Sequence, residues 1–344
     1  MDLSAIDQVT PTWLTQIFKK SSLLQNGKII SIQKTPLEDT PFSIPKITRL
    51  HLIYSDDATG NPPETIIFKI AKREKEWFFY KELAKSMQAP PIPRCFYTDN
   101  NQETETSYLL LEDLGTTHTQ TRWPIAPSFS VCEKAMHCIA EFHAFWWQHP
   151  NLENDLKDKL TLGDYWINRI NLAIKNLPSF FDFMGDRIST QRKGIYETVL
   201  SSSNIFWQPQ KSKCALTLIH GDAHFWNFLY PHEETDHVCA FDWNGWDIGK
   251  GTDDLAYMIG LHWYPERRKR FEEPLLRSYH ETLLEHGVEN YAWEDCWDDY
   301  RHSAIMNLFI PVWQWAKGIS QIVWWSHLER SFLTFEDLNC KELL

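Results

Sequence analysis

The chain has 344 residues, 43% apolar and 23% charged, enough to bury one large core or two smaller ones and too apolar for a disordered polymer. Its formal net charge of −12 argues against nucleic acid or an anionic membrane as partner and is compatible with a cationic ligand. The seven scattered cysteines form no C-x-x-C pair, which fits reduced thiols and a cytoplasmic location, and Met1-Asp2-Leu3-Ser4 carries no signal-peptide pattern.

Thr10-Pro11 marks a helix start, with Thr as the cap and Pro in the first turn. Trp13, Leu14, Ile17 and Phe18 then share one face. Residues 28–34, 47–54 and 64–71 read as strands, the last two separated by a turn rich in Asp, Gly, Asn and Pro. The third strand carries Lys69 in an apolar run, where an ammonium is costly unless paired. Residues 75–87 read as a helix with Trp77, Tyr80, Ala84 and Met87 on one stripe and Glu76 just beside it. Pro90-Pro91-Ile92-Pro93 breaks the chain, and 94–97 and 107–111 read as a strand pair. From Ser130 the chain is largely helical, with helices expected over 135–147, 162–176, 192–201 and much of 265–335. The apolar stretch 306–325 is interrupted by Pro311, Gln314, Lys317 and Gln321 and is read as a buried helix, so no membrane insertion is expected.

The chemistry concentrates in His220-Gly221-Asp222-Ala223-His224-Phe225-Trp226-Asn227, between two apolar runs, and in Phe241-Asp242-Trp243. Phosphoryl transfer from a nucleotide needs a carboxylate to accept a hydroxyl proton, and an amide oxygen with a second carboxylate to hold Mg²⁺. Asp222 and Asn227 are five apart on one compact loop, and Asp242 follows fifteen later. Asp222 is the candidate base; Asn227 and Asp242 are the candidate metal ligands. The pattern H-G-D-x-H-x-x-N followed by F-D-W resembles the catalytic and metal-binding loops of the aminoglycoside phosphotransferase and choline kinase-like family, which includes the ecdysteroid kinase-like proteins. That family is the small-molecule branch of the protein-kinase-like fold.

The resemblance implies an α+β bilobal fold. An antiparallel sheet plus helix would form an N-terminal nucleotide-binding lobe, residues 1–112, and a larger, mainly helical lobe, 113–344, would carry catalysis and the acceptor. It implies ATP as donor, Mg²⁺ as cofactor and a small-molecule hydroxyl acceptor. Glu76-Trp77-Phe78-Phe79-Tyr80-Lys81-Glu82-Leu83 looks like the family's E-x-x-F-Y-x-x-L helix, so Glu76 would steady Lys69 against the phosphates. The phosphate-covering turn would be 38–45, which has no glycine; amides from Phe42 to Ile44 and the Ser43 hydroxyl would serve. Leu109 to Leu114 resembles the hinge that meets the adenine edge through main-chain groups, which assigns Glu112 and Leu114 to the nucleotide. The same likeness makes His143 a buried histidine bonded to catalytic-loop backbone, and Asp254 a brace for that loop.

Two rival readings remain. One is a catalytically inactive nucleotide-binding pseudokinase. The other is a metal-dependent hydrolase using His220, Asp222, His224 and Asp242, although Gly221 and the adjoining strand do not match the helical H-E-x-x-H pattern. The aromatic and acidic run 293–300 reads either as a seat for a cationic acceptor or, ordinarily, as an amphipathic helix with its acids in water.

Overall fold

The computed structural model describes residues 6, 9–37, 46–72, 74–101, 103, 105–154, 165–202, 216–233 and 237–344. The chain divides into two compact units: Met1–Thr119 with Pro231–Asn244, and Gln120–Tyr230 with Gly245–Leu344.

The first unit opens with α1 (Pro11–Lys20), where Thr10 Oγ1 accepts from the Trp13 amide at 3.3 Å and caps the helix. Its Leu14, Ile17 and Phe18 are buried on a five-stranded sheet. The strands are β1 (Ile29–Pro36), β2 (Lys46–Tyr54), β3 (Thr65–Lys72), β4 (Cys95–Asn101) and β5 (Thr106–Glu112), in spatial order β1-β2-β3-β5-β4, with every neighbouring pair antiparallel. Strand alternation explains which side chains meet the helix. Leu50 and Leu52 of β2, Ile66 and Phe68 of β3, and Tyr108 and Leu110 of β5 share the covered face. Each such side chain contributes roughly 1.5–3 kcal/mol of burial.

The helix expected over 75–87 is three segments. α2 (Lys75–Phe78) widens into a π turn, Phe79–Leu83, and tightens into a 3₁₀ turn, Ala84–Ser86. Phe79 lies flat on Trp243, ring centres 4.2 Å apart and planes 5° from parallel. That stack helps fasten 231–244 to this unit, together with the Ala240 N–H to Pro91 C=O bond at 2.8 Å. His118 Nε2 also meets the His237 carbonyl at 2.9 Å.

The second unit is mostly helical. Its principal helices are α3 (Phe129–Trp146), α4 (Tyr165–Met184), α5 (Thr190–Ser201), α6 (Gly251–Leu255), α7 (Pro265–Glu285), α8 (Trp293–Met306), α9 (Ile310–Ala316) and α10 (Gln321–Asp337). One antiparallel pair, β6 (Leu216–Ile219) and β7 (Asp247–Lys250), carries the loop that begins at His220. Helices α3 and α7 pack along each other, and Trp146, Trp263, Tyr196, Tyr279 and Tyr300 are fully buried. Arg268, also fully buried, is neutralised by Glu272 at 2.7 Å and by Asp337.

One sequence reading needs correction here, and one pair of alternatives is decided. Residues 306–325 are not one helix. α8 stops at Met306, a 3₁₀ turn spans Asn307–Phe309, and α9 starts afresh with Pro311 in its first turn, where its missing N–H costs nothing. Gly318, at φ +71°, then turns the chain before α10. The 293–300 run takes its ordinary form: Cys296 and Tyr300 are buried, Glu294, Asp295 and Asp298 face water, and Asp299 pairs with Lys250. Among the described residues the cysteines are free thiols, and no helix is long and apolar enough to cross a membrane.

Candidate active site

The first cluster lies within the first unit. Lys69 sits mid-strand on β3, opposite Ile47 of β2 and Leu109 of β5, with its side chain on the face away from Phe68. It is 4% exposed. Its Nζ donates to Glu76 Oε1 at 2.8 Å and to Asp242 Oδ1 at 2.7 Å. Burial works against the ammonium, but the Asp242 and Glu76 carboxylates outweigh it and raise the Lys69 pKa, so the lysine stays charged; burial pushes the Glu76 carboxyl upward, against the pull of Lys69. Asp242 holds its carboxylate there from a left-handed backbone, φ +67°, a conformation that Asp tolerates better than most residues.

Asn244, unmarked by any sequence reading, closes the ring. Its Nδ2 donates to Asp242 Oδ1 at 2.8 Å and to Glu76 Oε2 at 3.2 Å. One carboxamide thus separates two carboxylates that would otherwise repel. Asn244→Asp places a third negative group there at almost unchanged volume. It is expected to cost about 2–4 kcal/mol, read as a lower urea midpoint; an unchanged midpoint would refute the bridging role.

The second cluster lies within the second unit and is built on Asp254. Its Oδ2 accepts the His220 N–H at 2.6 Å and its Oδ1 the Gly221 N–H at 2.8 Å, which fixes the loop where it leaves β6. Fully buried His143 meets Asp254 Oδ2 through Nε2 at 3.2 Å and the Tyr279 hydroxyl through Nδ1 at 2.9 Å. The sequence reading bonded His143 to loop backbone; its ring instead supports the carboxylate that holds that backbone. Gly251 makes room for this, since a Cβ there would lie 2.1 Å from the Tyr279 hydroxyl.

Within the loop, Gly221 adopts φ +73°, and a Cβ would meet the Gly245 carbonyl at 1.9 Å, so only glycine fits. Buried His220 accepts the Asp222 N–H at Nδ1, 3.3 Å away, and so orients the residue that follows the turn. Arg169 Nη1 donates to the Gly221 carbonyl at 3.1 Å. Asn227 Nδ2 donates to the Asp222 carbonyl at 3.0 Å, which leaves Oδ1 as the oxygen able to face a cation. Asp222 itself is half-buried.

The structure therefore brings Lys69, Glu76 and Asp242 together in one unit, and Asp222 and Asn227 together in the other. Phe42 and Ser43 lie outside the described residues. Glu112 ends β5, its N–H given to Arg94 C=O at 2.8 Å, and the Leu114 C=O accepts from His118 N–H at 2.8 Å. These two main-chain groups are engaged in local structure. Asn244, Arg169 and Tyr279 were the supporting residues that sequence reasoning missed. Each acts across a long chain separation, and none belongs to a pattern that could have been read in advance.

Residues 67–289 match the profile of the family described as the Ecdysteroid kinase-like family. No curated protein matched the chain. Among solved structures, a Ralstonia eutropha JMP134 protein assigned to the aminoglycoside phosphotransferases aligns with a TM-score of 0.62 and 13% identity, covering 95% of this chain and 98% of that one. Choline kinase from Cryptosporidium parvum Iowa II gives a TM-score of 0.56 at 10% identity, over 97% and 96%. A microcompartment-associated aminopropanol kinase gives 0.53 at 11%, over 95% and 96%. At these identities the likeness speaks for the fold, which is protein-kinase-like. The profile match covers well over half of the sequence: the chain belongs to the ecdysteroid kinase-like family.

Proposed function

We propose that the protein is a phosphotransferase that moves the γ-phosphate of ATP to a hydroxyl of a small molecule. One observation carries this reading: a buried ammonium in the middle of a strand, kept charged by two carboxylates. Such a group is expensive to build, and a triphosphate is the ligand that would repay it. Lys69, steadied by Glu76 and Asn244, contacts the phosphates. Asp242 and Asn227 hold Mg²⁺; a carboxylate and a carboxamide oxygen are the hard donors that this ion prefers. When bound, the ion offsets charge on the phosphate oxygens. Asp222 accepts the proton of the acceptor hydroxyl as its oxygen attacks phosphorus in line. Asp254, His220 and Arg169 fix the loop that carries Asp222, so little reorganisation is needed at the moment of transfer. Main-chain groups near Glu112 and Leu114 meet the adenine.

The hydrolase reading finds less support. The His220 Nδ1 is spent on the Asp222 amide, and among the described residues no group of three His, Cys, Asp or Glu side chains is placed to hold a metal.

Calorimetry with a non-hydrolysable ATP analogue tests the nucleotide half of the reading. The parent should bind at least about tenfold more tightly with Mg²⁺ than without, and Asp242→Ala should erase that difference. Lys69→Met should weaken binding by about tenfold. Equal Mg²⁺ enhancement in parent and Asp242→Ala would remove Asp242 from the metal site. Transfer to any tested alcohol by the parent separates an active enzyme from a pseudokinase.

A further inference from the structure

Within the first unit, one charged side chain on the Lys69 face of the sheet has no part in the proposed chemistry. Strand alternation sends Leu50, Ile66, Phe68 and Leu110 toward α1. It leaves Ile47 and Arg49 of β2, Ile67 and Lys69 of β3, and Leu109 and Leu111 of β5 on the opposite face. The register sorts these six into two cross-strand rows. Ile47, Lys69 and Leu109 form one; Arg49, Ile67 and Leu111 form the next. Arg49 thus stands two residues along β2 from the row of the lysine, about 7 Å on. Lys69, Leu109 and Leu111 are buried, whereas Ile47, Arg49 and Ile67 are only partly covered. The face is an apolar shelf that carries an ammonium in one row and a guanidinium in the next.

The guanidinium is fixed in its plane. Arg49 Nε donates to Asp113 Oδ2 at 2.6 Å and Nη2 to Asp113 Oδ1 at 3.0 Å, a bidentate pair. The Asp113 side chain is 4% exposed. It also accepts the Gly115 N–H at 3.0 Å, and Thr65 of β3 hydrogen-bonds it as well. Burial works against this carboxylate, but those bonds, that of Arg49 first, outweigh it and hold its pKa below the usual range. In return the Asp113 hydrogen bond raises the Arg49 pKa. Asp113 lies between Glu112 and Leu114, so the clamp ties the guanidinium to the same turn whose main chain meets the base in the reading above. Both bonds lie in the guanidinium plane and use one edge of it. Its flat faces are not spent on them, and the side chain keeps 38% of its surface exposed. A flat, weakly hydrated cation held by one edge is a stacking surface for an aromatic ring, and nucleobases stack on such planes. A nucleoside triphosphate carries its ring and its outer phosphates on opposite sides of a ribose, a separation of the same order as that between the two rows.

We propose that Arg49 is a nucleobase-binding residue whose guanidinium stacks on the face of the adenine, and that Asp113 is the positioning residue that holds it flat. This rests on the phosphotransferase reading above and deepens it. That reading gave the base to main-chain groups, which meet only its edge. Arg49 supplies a contact to the face of the ring, from the same unit that holds the phosphates.

The probes are two ligands measured by calorimetry: the Mg²⁺ complex of a non-hydrolysable ATP analogue, and Mg²⁺-tripolyphosphate, which has no ring. Arg49→Lys keeps the positive charge and loses both the plane and the bidentate bond. It should weaken the analogue about fivefold and leave tripolyphosphate within about twofold of the parent, with the thermal midpoint reporting that the fold is kept. Asp113→Asn keeps the guanidinium but loosens its clamp, and should weaken the analogue alone by about twofold to threefold. An equal loss for both ligands in Arg49→Lys overturns the proposal, because it makes the ion pair a prop for the whole site. Analogue affinity unchanged in Arg49→Lys overturns it as well. Tripolyphosphate bound by the parent as tightly as the analogue overturns it without any variant. A parent that binds neither ligand defeats the phosphotransferase reading itself, and the assignment of Arg49 falls with it.

Discussion

Asp222→Asn is expected to lower phosphate transfer by about 10²–10⁴-fold while nucleotide affinity and thermal midpoint stay near those of the parent. The substitution is nearly isosteric. The bonds that shape the loop at this position use backbone: the Asp222 N–H to His220 Nδ1 and the Asp222 C=O to Asn227 Nδ2. Both survive the change, as do the two amides held by Asp254. What is lost is a group able to take the acceptor proton as the oxygen attacks. Single-turnover transfer of labelled phosphate isolates that step from binding and product release. A variant that turns over within a few-fold of the parent would strip Asp222 of its role as base. A large fall in nucleotide affinity instead would assign the residue to binding.

The second large effect is on stability. Asp254→Ala removes the acceptor of three buried donors: the His220 amide at 2.6 Å, the Gly221 amide at 2.8 Å and His143 Nε2 at 3.2 Å. Each orphaned donor costs about 1–3 kcal/mol, and the sites share one network, so the expected total is about 3–5 kcal/mol. That is a large part of the roughly 5–15 kcal/mol that holds a domain folded. Asp254→Asn keeps the volume but offers one acceptor oxygen in place of two and turns an N–H₂ toward other donors; it should fall between. The shift in urea midpoint, with Asp222→Asn as the reference, checks both. A loss below about 1 kcal/mol for Asp254→Ala would mean that water replaces the carboxylate and that the loop is held elsewhere.

Local patterns in the sequence read well. Thr10-Pro11 gave the cap, β2 alternates as its apolar spacing requires, and an isolated lysine in an apolar strand announced a buried pair. Asp254 was legible as a brace only through the resemblance of its D-W…G…D-L-A surroundings to the family's pattern. Features that depend on distant residues were not legible. Asn244 looks like any polar loop residue until Glu76 is seen opposite, 168 positions away. Arg49 reads as one polar position of an alternating strand, and only Asp113, 64 residues on, shows what fixes it. The break at Gly318 went unread because helical periodicity on both sides conceals one left-handed residue. The expected boundary after 112 rested on the hinge-like stretch 109–114; segment 231–244, beyond it, is tied to the first unit by the Phe79–Trp243 stack and by hydrogen bonds at His237, Ala240, Asp242 and Asn244.

The pairing of Lys69 with Asp242 spans 173 residues of chain. On a ribosome adding about 5–20 residues per second, roughly 10–35 s pass between synthesis of the lysine and synthesis of its second partner. Through that interval the nascent sheet carries an ammonium balanced by Glu76 alone, and Phe79 has no indole to cover it. The first unit therefore cannot finish maturing when its own strands are complete; it must wait for much of the other unit to emerge from the exit tunnel.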